Sequence, residues 1–163
     1  GNLDYIFSIG VLHHVKDPGP VVEAAFRALR PGGCFLVWLY GREGNRLYLV
    51  GLKPLRILTK HLPHYFLAAL VEIVYWPSVV YLGLCRRFPL PMRGYLLSVF
   101  GKMSPAKRSL IIYDQLNPSY AKYYSRPEAE KLLLDGGFID VLLHHRHGYS
   151  WTVIGTKSLL RGG

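Results

Sequence analysis

Acidic residues are scarce: 10 Asp and Glu stand against 20 Lys and Arg in 163 residues, a net charge of +10. So one-sided a balance directs attention to anionic partners, whether nucleic acid, a membrane surface or an acidic substrate. Charge of either sign is sparse as well, at 18%, while half of the residues are apolar, which excludes a disordered chain. Cysteine is limited to Cys34 and Cys85, with no CxxC spacing. No disulfide framework is expected, and a reducing, cytoplasmic setting is the default. The sequence has no GxGxG run, no internal repeat and no low-complexity tract. It opens on Gly1 rather than methionine and enters strand-like sequence within three residues, without a secretory leader. That opening reads as a chain whose beginning is missing. The length is that of one ordinary domain with a real core.

The run "LDYIFSIGVL", Leu3 to Leu12, is rich in Ile, Leu, Val and Phe without clean alternation. This is the pattern of a strand buried on both faces of a parallel sheet. Asp17-Pro18-Gly19-Pro20 then supplies a turn, with Pro20 at the first helical position. Val21, Val22, Ala25, Phe26 and Leu29 recur at helical spacing, Pro31-Gly32-Gly33 stops the helix, and "CFLVWLYG" is a second apolar strand. The result is one strand–helix–strand crossover. From Arg42 to Arg108 the chain is apolar and basic, with nine Lys or Arg against one acid between Lys53 and Arg108. Prolines at 54, 63, 77, 89, 91 and 105 predict short helical pieces, and the whole reads as an insertion. Core-like sequence returns at Ser125, an N-cap ahead of Pro127 and Glu128. That helix stops at Gly136-Gly137, and "FIDVLLHHR" and "YSWTVIGTK" predict two strands joined by a tight turn near His147-Gly148.

Four segments, "LDYIFSIGVLHHVKDP", "ALRPGGCFLVWLYG", "RPEAEKLLLDGGFIDV" and "SWTVIGTK", resemble the C-terminal half of class I S-adenosylmethionine-dependent methyltransferases, over roughly residues 1–41 and 110–157. The resemblance implies an α/β fold, a partial Rossmann-like doubly wound sheet with a helical insertion. This chain would supply the fourth to seventh strands: Leu3–Ser8 as the fourth, Cys34–Tyr40 as the fifth, then the closing antiparallel pair. The implied division is residues 1–41 and 109–158 as core, 42–108 as insertion and 159–163 as a tail. The family's glycine-rich loop and ribose-binding acid would both precede Gly1. The cofactor implied is S-adenosyl-L-methionine, with Ser8, Ile9, Gly10, Val11, Leu12 and His13 forming one wall of its site, because ligands of open α/β sheets sit beyond the carboxyl ends of strands at the switch point. Methyl transfer to a small, lipophilic acceptor is expected of a full-length parent. For this chain alone inactivity is expected, along with a bare Leu3–Ser8 edge that favours aggregation. The competing reading is a non-catalytic membrane-surface binding module that keeps half of the fold.

His13 and His14 are poor metal ligands, since adjacent residues rarely converge on one ion without a further Cys, Asp or Glu at ligand spacing; no metal site is expected. Two readings remain open for them. One histidine caps the loop by hydrogen bonding, or one faces the cavity, where it orients substrate or accepts its proton. His144, His145 and His147 read as a solvated face. Tyr113 and Asp114, with Tyr120, Tyr123 and Tyr124, are candidates to close a pocket, Asp114 as a base; packing against the sheet is the alternative. Methyl transfer chiefly requires alignment of nucleophile, methyl carbon and leaving sulfur. Tyr65–Cys85 holds a single charge and approaches the length of a membrane span, but Glu72, Pro77 and basic residues on both sides oppose spanning. A lid over the pocket and a peripheral contact with an anionic membrane surface both fit. Nucleic acid is disfavoured, because the basic residues interleave with Leu, Ile and Val and no binding motif occurs. Oligomeric state is not legible.

Overall fold

The computed structural model describes residues 1–59, 61–116 and 120–159. In chain order the elements are β1 (Leu3–Ile9), α1 (Gly19–Ala28), β2 (Leu29–Tyr40), α2 (Arg46–Thr59), α3 (His64–Arg87), α4 (Arg93–Ser98), α5 (Pro105–Leu116), α6 (Arg126–Asp135), β3 (Ile139–Arg146) and β4 (Ser150–Thr156), with single 3-10 turns at Leu12–His14 and Phe100–Lys102. They form two compact units, one from Gly1–Glu43 with Tyr120–Gly163 and one from Gly44–Ser119.

The first unit is a four-stranded sheet in the order β1-β2-β4-β3. β1 and β2 are parallel, while β4 runs antiparallel to both β2 and β3. Alternation along β2 and β4 turns Phe35, Val37, Leu39, Trp151 and Val153 toward one face, where they form a core with Val22 and Leu29, Ala129 and Leu133. Phe138 joins them, its ring 5.6 Å from that of Phe35. The ammonium of Lys157 ties α1 to the sheet by donating to the Phe26 and Leu29 carbonyls, both at 2.7 Å, at the end of the helix where carbonyls lack partners.

The other face of the sheet differs from the sequence expectation. Register stacks Phe7, Leu36, Ile154 and Leu142 in one row across all four strands. No helix of this unit covers that row among the described residues. β1 is therefore not buried on both faces: Tyr5 is 77% and Phe7 73% exposed. Its residues have the composition of a central strand, but among the described residues β1 stands at an edge, paired with β2. Among the described residues the unit thus carries its helices, α1 and α6, on one side of the sheet.

Local signals set the remaining geometry. At the start of α6 the Glu128 carboxylate accepts from the Ser125 N–H (2.8 Å) and hydroxyl (2.7 Å) and pairs with Arg42 at 2.9 Å. Burial alone would raise the Glu128 pKa, but these bonds and the charges of Arg42 and Lys122 hold it below the usual carboxylate range. Glu128→Ala is expected to cost about 1 kcal/mol, the value of a helix cap, read as a shift in the urea midpoint. Between β3 and β4, His147 (φ 51°) and Gly148 (φ 74°) both take left-handed conformations, and the Tyr149 N–H closes on the Arg146 carbonyl at 3.2 Å. Two positive φ values in succession match the right-handed twist of a hairpin.

The second unit is helical. Leu67 and Val71 of α3 share a core with Leu52, Phe100, Ile112 and Leu116. Residues 109–116 consequently belong here, as the end of α5, rather than with the sheet as the sequence suggested. Prolines cut the chain less than expected. Pro63 caps α3 and Pro105 opens α5, but Pro54 and Pro77 lie inside α2 and α3, and α3 runs for 24 residues. An internal proline costs about 3 kcal/mol in helix propensity, which tertiary packing of α3 offsets. The Ser78 hydroxyl donates to the Tyr75 carbonyl at 2.6 Å, next to the position where Pro77 has no N–H to offer. Of the tail at 159–163, only Leu159 lies within the described residues.

Candidate active site at the carboxyl end of the parallel strands

β1 and β2 run parallel, so their carboxyl ends open on the same side, with Ser8 opposite Val37 and Ile9 opposite Trp38. Beyond Ile9 the chain must turn sharply. Gly10 makes that turn at φ 76°, and a Cβ placed on it would meet no atom within 4 Å. The left-handed backbone suits glycine, and the space over it is open. Ile9 and Val11 flank this gap with exposed side chains, whereas Leu12 turns into the core. The 3-10 turn that follows, closed by the His14 N–H on the Val11 carbonyl at 2.9 Å, carries the two histidines in opposite senses.

His13 is fully buried and His14 exposed. The His13 ring stacks on Tyr40 with centroids 3.8 Å apart, and Trp38 meets it edge-on at 5.6 Å. Neither His13 ring nitrogen has a hydrogen-bond partner of ordinary geometry among the described residues. Burial, then the neighbouring His14 charge, lowers its pKa from 6.5 to about 4 against a smaller opposing effect of the Trp38 backbone. His13 is thus a neutral ring at pH 7.

His14 is held differently. Its Nδ1 lies 2.8 Å from the Tyr120 carbonyl. A carbonyl only accepts, so Nδ1 carries the proton and the lone pair of the neutral ring resides on Nε2. The segment that supplies this carbonyl is clamped along the strand ends: Lys122 N–H donates to His13 O (2.9 Å), Tyr124 N–H to Tyr40 O (2.8 Å), and Arg42 N–H to Tyr124 O (2.8 Å). Tyr123 stacks on Tyr40 at 5.2 Å. Burial, then the charges of Tyr120 and Glu128, pushes the Tyr124 hydroxyl up to about 12, which excludes it as a base near neutrality.

The arrangement therefore brings together Ser8, Ile9, Gly10, Val11, His13 and His14 with Trp38, Tyr40, Tyr120 and Tyr123. Tyr113 and Asp114 are on α5 in the second unit, where the Tyr113 hydroxyl pairs with His64 Nδ1 at 2.9 Å. Of the Ile111–Ser125 stretch, residues 117–119 lie outside the described residues. Trp38 and Tyr40 are not candidates on sequence; their signal is the two-residue spacing that puts both rings on one face of β2, with Trp38 opposite Ile9. His145, read as part of a solvated face, instead stacks on Trp151 at 4.3 Å. An open groove of about 440 Å³ on the second unit is lined by Leu47, Tyr48, Tyr81, Pro91 and Met92 and holds no histidine or carboxylate.

Residues 1–37 match the model of the methyltransferase domain family. Human N-acetylserotonin methyltransferase, solved in complex with SAM, is 13% identical at a TM-score of 0.48, with 95% of this chain and 29% of that chain covered. The S-adenosylmethionine-dependent methyltransferase SibL, solved in its apo form, is 17% identical at a TM-score of 0.46, with 95% and 31% covered. This chain spans less than a third of the length of either. No curated protein matches the sequence.

Proposed function

We propose, taking the methyltransferase-domain match of residues 1–37 as the premise, that this chain is the carboxyl-terminal portion of a class I S-adenosylmethionine-dependent methyltransferase. The observation that carries the reading is the open cradle at Gly10, set at the carboxyl end of β1 where such sheets bind ligands. The residues fit one side of the cofactor: Ile9 and Val11 offer apolar walls, and Gly10 lets a ligand approach the backbone. When bound, S-adenosylmethionine supplies an electrophilic methyl group carried on sulfur. The chain's own residues orient and deprotonate the acceptor. His14, its Nδ1–H fixed on the Tyr120 carbonyl, directs Nε2 outward to take a proton from an oxygen or nitrogen nucleophile. Neutral His13 stiffens the turn from beneath, and with Trp38 and Tyr40 it favours a small, lipophilic acceptor.

Calorimetric titration of S-adenosylmethionine tests this in the longer protein that carries the chain and in the chain alone. Saturable binding is expected in the former and not in the latter. Gly10→Val in the longer protein is expected to weaken binding about tenfold or more, since a β-branched residue at positive φ is strained and its side chain enters the cradle. A longer protein that binds no cofactor overturns the reading and leaves a non-catalytic module in its place.

A further inference from the structure

The second unit carries a surface made of residues other than those of the candidate site. α3 buries Leu67, Val71, Leu82 and Cys85 on one side. Its opposite side is also apolar: Tyr65, Phe66, Ile73, Trp76, Val80 and Leu84 are all exposed, Ile73 at 69% and Trp76 at 66%. At about 100° per residue these six fall within one sector running the length of the helix. Arg87 falls in the same sector, one turn beyond Leu84, and Arg86 stands beside it, both exposed. Glu72, at the rim, is the one acid in the helix.

Charge points to the occupant. Between Gly44 and Ser119 the sequence has ten Lys or Arg and two acids. Arg56, Arg93 and Arg108 are engaged with carbonyls of their own unit, but Lys102 and Lys107 are exposed. A wholly apolar partner would leave this charge unanswered, and an anionic polymer would leave the stripe wet. An anionic lipid surface answers both. α3 is long and apolar enough to cross a bilayer by length and composition. Its inner side, though, is already occupied by α5, through Ile112 and Leu116. Only one side is left for lipid, which suits a helix lying in the interface, with the rings of Tyr65 and Trp76 at headgroup depth.

We propose that the outward side of α3 docks this protein on anionic membrane surfaces, with Trp76 and its apolar neighbours inserted among the acyl chains and Arg86 and Arg87 set on the headgroups. The surface is independent of the methyl-transfer reading and can fail separately from it.

The test is co-sedimentation of the full chain with vesicles of phosphatidylcholine alone and of phosphatidylcholine with 30% phosphatidylglycerol. Binding is expected on the anionic vesicles and not on the neutral ones, and it is expected to weaken in 1 M salt. Trp76→Glu, and separately Arg86→Glu with Arg87→Glu, should each weaken it by at least about tenfold. Both sites are exposed, so the far-ultraviolet circular dichroism should not change. Phe7→Lys, on the bare face of the sheet, should leave vesicle binding as it was. Equal binding to both vesicles, or binding that survives the α3 variants but is lost with Phe7→Lys, overturns the proposal. So does a Trp76→Glu variant whose one effect is to turn an oligomer into a monomer, which would make a second copy the occupant, or retention on RNA without any on vesicles.

Discussion

Acidification from pH 7 to pH 4 is expected to cost the sheet unit about 3 kcal/mol through His13 alone, a loss of more than a hundredfold in its folding equilibrium. The ring is buried, so charging it means taking an imidazolium out of water beside His14, and its pKa falls from 6.5 to about 4. Above pH 6.5 the ring is neutral in both the folded and unfolded chains and contributes no pH dependence. Between 6.5 and 4 the unfolded chain binds the proton and the folded one does not, so stability drops as the pH falls. Below about 4 both forms are charged and the loss levels off. Urea titrations followed by tryptophan emission would measure it, in a Trp76→Phe background that leaves Trp38 and Trp151, both in the sheet unit. His13→Leu should remove about 3 kcal/mol of the difference between pH 7 and pH 4. Equal losses in the two proteins would show that His13 titrates normally in the fold. Glu43 and Glu128 lose stability over lower pH values, because hydrogen bonds outweigh burial and hold both carboxyls below their ordinary range. Their contribution is common to both proteins and cancels in the comparison.

His14→Ala, in the longer protein, is expected to lower kcat for methyl transfer by about 10² to 10⁴ with little change in cofactor affinity, the range for loss of a positioned general base. That variant would remove two things together, the role proposed for the ring and a bond it makes. One is the proton acceptor at Nε2; the other is the bond from Nδ1 to the Tyr120 carbonyl, which holds the 120–124 segment against the strand ends. His14→Asn separates them, since its amide N–H stands where Nδ1–H does and can restore the bond but offers no basic nitrogen. A rate that stays low in His14→Asn identifies proton transfer; a rate restored to within a fewfold of the parent makes His14 a positioning residue. The pH profile of kcat/KM gives a second readout, because loss of a base removes an ionisation and loss of a clamp does not.

The strand–helix–strand crossover is legible in the sequence because its signals are local: a turn at Asp17–Pro20, a helical repeat through Val22, Ala25 and Leu29, then an apolar run. The Ser125–Glu128 cap and the His147–Gly148 turn are legible for the same reason. What lies beyond local reach misleads. Tyr5 and Phe7 have the composition of a buried strand, and nothing in their own segment tells that β1 has one neighbour. Pro54 and Pro77 break isolated helices, but here they sit in helices braced by partners distant in sequence. The site divides along the same line. Gly10 and the two histidines are adjacent in sequence and were identifiable as a unit. The ring under His13 and the carbonyl over His14 come from Tyr40 and Tyr120, brought in by strand register and by a segment more than a hundred residues away. Ile111–Ser125 reads as one stretch, yet α5 takes Tyr113 and Asp114 into the helical unit while Tyr120–Tyr124 go to the strand ends.

The place where the chain leaves the sheet unit and returns to it has a consequence for how such a protein diversifies. Gly41 bridges to Tyr124, Arg42 N–H bonds Tyr124 O, and Glu43 accepts from the Arg126 N–H at 2.9 Å. All of these bonds lie within the sheet unit, and together they hold shut the two ends between which Gly44–Ser119 is spliced. The sheet unit is in this sense a socket. Whatever helical cassette is carried there, the wall from Ser8 to His14 closes on itself with the same partners. The outward side of α3, the surface proposed for lipid, can therefore be exchanged by recombination at residues 43 and 120 without redesign of that wall.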